Sequence, residues 1–244
     1  FPASTRLELL VDIKLAEGAS FEATEREVRR MEALLARHAE GIDNYVSYVG
    51  TGSPRFYLPL DQQLPTPSFA QFVITTEGIA EREALRARLI AAFEGDEFTA
   101  VRGRVLRLEN GPPVGFPLQY RVSGEDLGKL RAIAGEVAQV MRAHPEAVNV
   151  QFDWDERSKV IRLEIDQAKA RALGISSQEL ASFLNGALVG LTATYYREKD
   201  KLVEVLLRSV PQERERMSLL ENLSVPTRSG RSVPLAQVAR VHYE

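Results

Sequence analysis

Three histidines, His38, His144 and His242, are the first residues to test for metal or acid–base chemistry. They fall at the end of one predicted helix, at the end of another and in the last predicted strand. No spacing among them matches a metal site, and surface or helix-capping roles account for them. The chain has no cysteine, which removes disulfides, thiolate metal sites and a cysteine nucleophile. No Ser–His–Asp order, phosphate-binding loop or dinucleotide fingerprint occurs. The run Gly111-Pro112-Pro113-Val114-Gly115 is stiffened by proline and leads into a predicted strand, so it reads as a hinge and not as a phosphate cradle. Asp153, Asp155 and Glu156 cluster after a predicted strand; they hint at a cation site but read as a solvated turn. With no nucleophile–base pair and no metal constellation, an enzyme is disfavoured and no cofactor is implied.

Two other groups point to binding. Residues 50–68, GTGSPRFYLPLDQQLPTPS, form a long loop broken by Pro54, Pro59, Pro65 and Pro67. Loops of that length are uncommon in compact domains and tend to be functional or disordered. Phe56 and Tyr57 in its middle must either pin the loop to its own domain or contact a ligand or partner. Arg102 and Arg104 alternate with Val101, Gly103 and Val105 on one predicted strand. They lie either on a solvated sheet face or on a face that lines a cleft.

The elements that would position these residues follow from periodicity. Residues 7–15 alternate, with Leu7, Leu9, Val11, Ile13 and Leu15 on one side and Glu8, Leu10, Asp12 and Lys14 on the other, a strand with one buried face. Ser20 caps a helix to about Arg37 whose apolar stripe is Phe21, Val28, Met31, Leu34 and Leu35. A strand at 45–49 follows. The same order then repeats: strand 69–75, helix 81–93, strand 99–108. Two such units in succession predict a ferredoxin-like sandwich, one sheet with two helices on one side. A third unit has strand 118–122, helix 126–142 and strand 148–154, with no fourth partner. Its sheet is half built, and the missing half is expected beyond Glu244 or on another chain.

The stretch VIRLEIDQAKARALGISSQEL, residues 160–180, changes the character of the chain. It reads as a strand, then a short helix at 167–173 capped by Asp166 and stopped by Gly174. Ser176 or Ser177 caps the next helix, with Glu179 in its first turn. That helix runs to about Leu188. Strands at 192–197 and 201–207 turn about Glu198-Lys199-Asp200, Pro211 breaks the pattern, and a helical turn is expected at 218–220. Ser229-Gly230 closes a hairpin, and 239–243 is a final strand. From the residues alone, 160–180 is a connector into a mixed α+β unit.

Composition adds limits. The chain has 244 residues, enough for one large or two small domains, and 44% are hydrophobic, as in an ordinary packed protein. A net charge of -3 with interleaved signs gives no nucleic-acid surface. No apolar run approaches the roughly 20 residues that cross a bilayer. With neither an initiator methionine nor a signal pattern, the chain reads as a soluble piece of something longer.

Several motifs carry a family resemblance. EIDQAKARALGIS is similar to the segment that opens the second docking subdomain of resistance-nodulation-division efflux pumps of the AcrB and MexB type, through Asp166, Lys169, Ala170, Leu173, Gly174, Ile175 and Ser176. Gly18, Ser20, Phe21 and Thr24 resemble the start of that family's first porter subdomain. Tyr48-Val49-Gly50 leads into what would be its switch loop. ENGPPVGFPLQYRV resembles its linker into the next porter subdomain, LNGALVG a small-residue helix end, and GRSVPLAQVARV the close of the docking subdomain. The resemblance covers essentially the whole chain.

It implies an α+β fold in three parts: a ferredoxin-like porter subdomain at 1–112, the first half of a second porter subdomain at 113–159, and a mixed α+β docking subdomain at 160–244. It implies a proton-driven exporter, an inner-membrane homotrimer working with a periplasmic adaptor and an outer-membrane channel, of which this portion faces the periplasm, binds no nucleic acid and is not an enzyme. The implied site is a cleft between the first two subdomains roofed by 50–68. Phe56, Tyr57 and Phe72 supply apolar surface, and Arg102, Arg104, Gln151 and Asp153 a polar lining. The arginines favour anionic or zwitterionic amphiphiles. Met31 and Met141 fall on helix stripes and Met217 in a charged turn, so organic amphiphiles are expected and not copper or silver. The alternative is a stand-alone binding module with no membrane partner.

Overall fold

A computed structural model of the protein describes residues 4–111, 115–154, 158–210 and 220–244. The predicted boundary at Pro112 and Pro113, the acidic pair Asp155 and Glu156, the break at Pro211, Met217 and most of the turn at 218–220 lie outside the described residues. The chain divides into two compact units, Phe1–Ser158 and Lys159–Glu244.

The first unit opens with strand β1 (Glu8–Lys14), helix α1 (Phe21–Arg37) and strand β2 (Ile42–Val49), then β3 (Phe69–Thr76), helix α2 (Ile79–Glu94) and β4 (Arg102–Arg107). The sheet order is β2-β3-β1-β4, antiparallel at every pairing. That is the ferredoxin-like split arrangement that the repeated strand–helix–strand pattern predicts. Ser20 caps α1 by accepting from the Ala23 N–H. Val28, Met31, Leu34 and Leu35 of its stripe are buried, packed with Leu85 and Leu89 of α2 on Leu9, Val11 and Ile13 of β1 and Phe72 and Ile74 of β3. Phe21, read from the sequence as part of that stripe, is 45% exposed at the first turn.

Gly103 shows how tightly the helices sit on the sheet. A Cβ there would lie 2.2 Å from the Phe93 ring of α2, far inside contact distance. The helix end is therefore seated on a strand position with no side chain.

The remainder of this unit departs from expectation. Helix α3 (Leu127–Arg142) forms, capped by Asp126, but only Ala138 is buried on it, and Leu127 and Ile133 are 55% and 50% exposed. Segments 118–122 and 148–154 form no strand. A strand exists only where a neighbour takes its N–H and C=O groups, and among the described residues neither segment has one. Instead the later segment follows α3, with Arg142 donating to the Val150 carbonyl at 3.3 Å and Arg131 lying over the Trp154 ring at 5.5 Å.

The second unit pairs β5 (Ile161–Ile165) with β10 (Ala239–Tyr243), antiparallel. Asp166 caps α4 (Gln167–Ala172), Gly174 turns at φ 70°, and Ser176 and Glu179 form a reciprocal capping box on α5 (Ser177–Leu188). Ala170, Ile175, Leu180, Leu184, Val225, Leu235 and Val238 make its core. Hairpin β6–β7 (Leu191–Glu198, Lys201–Leu207) is exposed at every residue, while β8 (Ser224–Pro226) and β9 (Ser232–Pro234) close a short ribbon.

Two outcomes are expected. Gly103→Ala drives a methyl into the Phe93 ring, and urea unfolding should show a loss of about 1–3 kcal/mol. Glu83 of α2 is held down to about 2, chiefly by hydrogen bonds from Arg107 of β4, with Arg82 adding to the effect against the opposing cost of burial. A depressed carboxylate stabilises the fold above its unfolded value and loses that contribution as pH falls through its folded value. Acid titration should therefore show Glu83→Gln less stable than wild type at neutral pH, with the gap closing between the ordinary carboxylate value of 4.5 and about 2.

Candidate functional site

Alternation along β1 turns Leu10 and Asp12 away from the helices. Register places Val73 and Gln71 of β3 on one side of them and Leu106 and Arg104 of β4 on the other. The result is two successive rungs across three strands, one apolar (Val73–Leu10–Leu106) and one polar (Gln71–Asp12–Arg104).

Loop 50–68 lies over this face. Its ends are tied down by backbone bonds from Gly50 N–H to the Phe69 carbonyl at 2.8 Å and from Leu15 N–H to the Ser68 carbonyl at 2.9 Å. The Thr24 hydroxyl of α1 adds a bond to the Pro67 carbonyl at 2.6 Å. Gly50 sits at φ 75°, where a side chain would be strained, and the Phe21 ring lies only 3.0 Å from the place a Cβ would occupy. In the middle of the loop, Leu60 is buried with Leu10 and Leu108, with Tyr57, Val73 and Leu106 packed around them. The loop is thus held at both ends and at one apolar anchor.

Between loop and sheet runs a small cleft, about 40 Å³ where its walls enclose it and open to solvent at its mouth. Its walls include Leu10, Leu60, Leu106, Pro59 and Tyr57 on the apolar side and Asp12, Asp61, Gln63, Gln71, Arg104, Arg107 and Glu109 on the polar side. The polar floor is ordered by a chain of hydrogen bonds. Ser53 N–H and Oγ–H both donate to Gln71 Oε1 at 2.8 Å, and Gln71 Nε2 donates to Asp12 Oδ1 at 2.8 Å. Ser53 and Gln71 are 2% and 3% exposed, so the amide is fixed in one orientation with each end satisfied.

Burial pushes the Asp12 carboxyl above its ordinary value; the Gln71 bond and the Arg104 charge oppose this, and the nearby Asp61 charge adds to it. Arg104 is committed elsewhere: its guanidinium donates to the Gly115 carbonyl and lies 4.3 Å over the Phe116 ring. Arg107 is paired with Glu83. Burial also raises the Tyr57 hydroxyl, which keeps it protonated at neutral pH.

The sequence-derived site residues divide. Tyr57 and Arg104 line the cleft. Phe56 stacks on Tyr57 with ring centres 5.3 Å apart and is 42% exposed beside it. Arg102 shares the Arg104 face of β4, one rung along, but is not part of the cleft wall. Phe72 is corrected: it is fully buried on the helix-packed face, because register turns the neighbouring Gln71 and Val73 to the cleft and Phe72 to the core. Gln151 and Asp153 sit in the segment after α3 and are not in the wall; Gln151 donates to Asn149.

The residues that sequence reasoning passed over are Asp12, Gln71 and Asp61. Their signal was Leu10, an apolar residue on the nominally polar side of β1. A leucine there means that side is covered, so its neighbour Asp12 is covered too. Among the described residues no three His, Cys, Asp or Glu side chains converge as a metal set, and no helix is long and apolar enough to cross a membrane.

Comparison with known proteins follows the same lines. The chain is 24% identical over 184 residues to the nickel and cobalt resistance protein CnrA of Cupriavidus metallidurans, covering 73% of this chain and 17% of that one. It is 22% identical over 243 residues to the multidrug resistance protein MdtC of Salmonella paratyphi C, covering 98% of this chain and 23% of that one. A crystal structure of a heavy metal efflux pump shares the fold with a TM-score of 0.72 at 17% identity, over 98% of this chain and 25% of that one. The chain thus spans about a quarter or less of the length of these relatives. Residues 1–244 match the AcrB/AcrD/AcrF family throughout, and the chain belongs to that family of resistance-nodulation-division efflux permeases.

Proposed function

We propose that this chain is the periplasmic porter and docking portion of a proton-driven efflux transporter, and that its loop-roofed cleft receives organic amphiphiles. The observation that carries the reading is the cleft itself. An apolar floor and an aromatic-bearing loop enclose a small set of oriented polar groups, the composition expected of a site that takes affinity from apolar area and orientation from few polar contacts. Phe56 and Tyr57 supply the aromatic surface and Arg104 one polar wall. Among the relatives, the names of CnrA and of the crystallised pump point to metals and that of MdtC to drugs. The placement of the thioethers speaks against copper or silver as cargo. Met31 is wholly buried in the helix-packed core, and Met141 is on α3, so neither meets a soft cation in this cleft.

The subdomain limits proposed are 1–112, 113–159 and 160–244. Exposed apolar side chains on α3 and its flanking segments, among them Ile133, Leu118 and Trp154, support a second porter subdomain completed by residues outside this chain. In the docking portion the fully exposed β6–β7 hairpin carries Tyr195, Tyr196, Leu202 and Leu206, a surface suited to assembly as a homotrimer with an adaptor and an outer-membrane channel.

Two measurements test the cleft. In the full-length transporter, Phe56→Ala/Tyr57→Ala should lower export of organic dyes about fivefold to tenfold, a loss of roughly 1–1.4 kcal/mol of binding. Normal assembly with wild-type export of every dye would refute the site. Gln71→Leu strands the Ser53 N–H and the Asp12 carboxylate without their partner, at a cost of about 1–3 kcal/mol. Limited proteolysis should then cut within 50–68 faster than in wild type.

A further inference from the structure

The charges around the cleft are unevenly committed. Both arginines in its wall are engaged, Arg104 with Gly115 and Phe116 and Arg107 with Glu83. Asp12 and Asp61 have no ion-pair partner among the described residues. Asp12 accepts one hydrogen bond, from the neutral Gln71 amide to Oδ1. Asp61 receives one from Gln63 at 3.3 Å. Asp12 is on the sheet floor and Asp61 on the roofing loop, and they repel across the cleft. The cost of burying the Asp12 carboxylate is only partly offset by the Arg104 charge and is raised by Asp61, and it falls when a further cation enters between the two carboxylates.

We propose that Asp12 is the charge-selecting residue of this cleft, admitting amphiphiles with a cationic head group in preference to zwitterionic or anionic ones. The inference rests on the cleft being the substrate site. It reverses the preference expected from Arg102 and Arg104, whose positions in sequence do not show that Arg104 is already occupied.

Gln71 gives Asp12 its role. With Oε1 locked by two bonds from Ser53, the Gln71 amide presents only Nε2 to Asp12. One carboxylate oxygen is held by that bond, and the other has no protein donor among the described residues. A protonated or quaternary amine docking from the cleft meets that oxygen, with Leu10, Leu60, Leu106 and Tyr57 around its carbon skeleton.

Selection then depends on pH through the state of Asp12. The charged and titratable groups facing it are Arg104 and Arg107 of β4, Glu109 just beyond, Asp61 and Tyr57 of the loop, and Glu8 and Lys14 on its own face of β1. Its carboxyl titrates above the ordinary aspartate value, mainly through burial. Cation preference is present above that raised value and is lost as pH falls through it, at a higher pH than an unperturbed aspartate would give.

The test uses the full-length transporter reconstituted in vesicles with two matched probes, the cationic ester and the zwitterionic free acid of one rhodamine dye. In wild type the export ratio of ester to acid should exceed one and should fall as pH is lowered. In Asp12→Asn the ratio should drop about tenfold and lose its pH dependence; Asp12→Glu should restore both. Asp61→Asn should lower the ratio less, because Asp61 is on the exposed side of the cleft. A ratio in Asp12→Asn unchanged from wild type overturns the proposal. So does an equal loss of both probes in Asp12→Asn and Asp12→Glu, which would mark Asp12 as purely structural. These results are separable from failure of the site itself, in which Phe56→Ala/Tyr57→Ala exports both probes at the wild-type rate.

Discussion

Strand β1 is bonded along both edges, to β3 and to β4, and each of its faces is covered, one by helices and the other by a loop. A strand in that position has little solvent to fall back on. Each polar side chain it carries must find a partner or bear the cost of desolvation. Leu9, Val11 and Ile13 meet the helix layer without difficulty. Asp12, on the other face, meets Gln71 on one neighbouring strand and the charge of Arg104 on the other. Much of the local architecture follows from that rung. Gln71 has to turn its amide nitrogen to Asp12, which leaves its oxygen to collect both donors of Ser53, and that in turn holds the start of the loop against the sheet. The loop brings Leu60 and Tyr57 over Leu10, and the cleft is what remains between them.

The same chemistry explains why the helices of the first unit fare differently. Helices α1 and α3 are both capped and both amphipathic. The first lies on a completed sheet and buries Val28, Met31, Leu34 and Leu35. The other has beside it segments that form no ladder, and it leaves Ile133 and Val140 half or more exposed. Amphipathicity gives a helix a face to bury, not a surface to bury it on. The β6–β7 hairpin illustrates the point in strands: its ladder runs from Leu191 to Leu207 with one register shift between Thr192 and Thr194, yet every residue is exposed. Both elements have the composition of interior structure and the exposure of a surface, the pattern of a chain whose family members are several times longer.

Much of the fold was legible because its signals are local. Caps are decided by one side chain and the next three N–H groups, so Ser20, Asp166 and the pair Ser176 or Ser177 could be read directly, and Ser20, Asp166 and Ser176 each accept the expected bond. Gly174 takes the left-handed turn that its place after α4 predicts. Alternation marked β1, and the doubled strand–helix–strand order carried the ferredoxin-like arrangement, because two such units close a sheet with both helices on one side. Family membership was legible for a related reason. Its motifs sit at caps, turns and glycine stops, where local geometry restricts the choice of residue.

The candidate site was only partly legible, because register and coverage are properties of neighbours. Alternation says that Phe72 and Gln71 point to opposite faces, but not which face receives the helices; the pairing of Val11 with Phe72 and of Asp12 with Gln71 decided it. Strands 118–122 and 148–154 had the right pattern and no partner, and pattern without a partner does not make a sheet. The arginines on β4 looked like a positive wall until Gly115 and Phe116 came within reach of Arg104. Asp12 looked like a solvent-facing residue until a loop thirty-eight to fifty-six positions further along the chain closed over it. The sequence by itself determined the helices, the strands that find partners, most caps and the family. The tertiary structure alone decided which charges are spent inside the protein and which are left facing the cleft, since that depends on contacts between residues far apart in the chain.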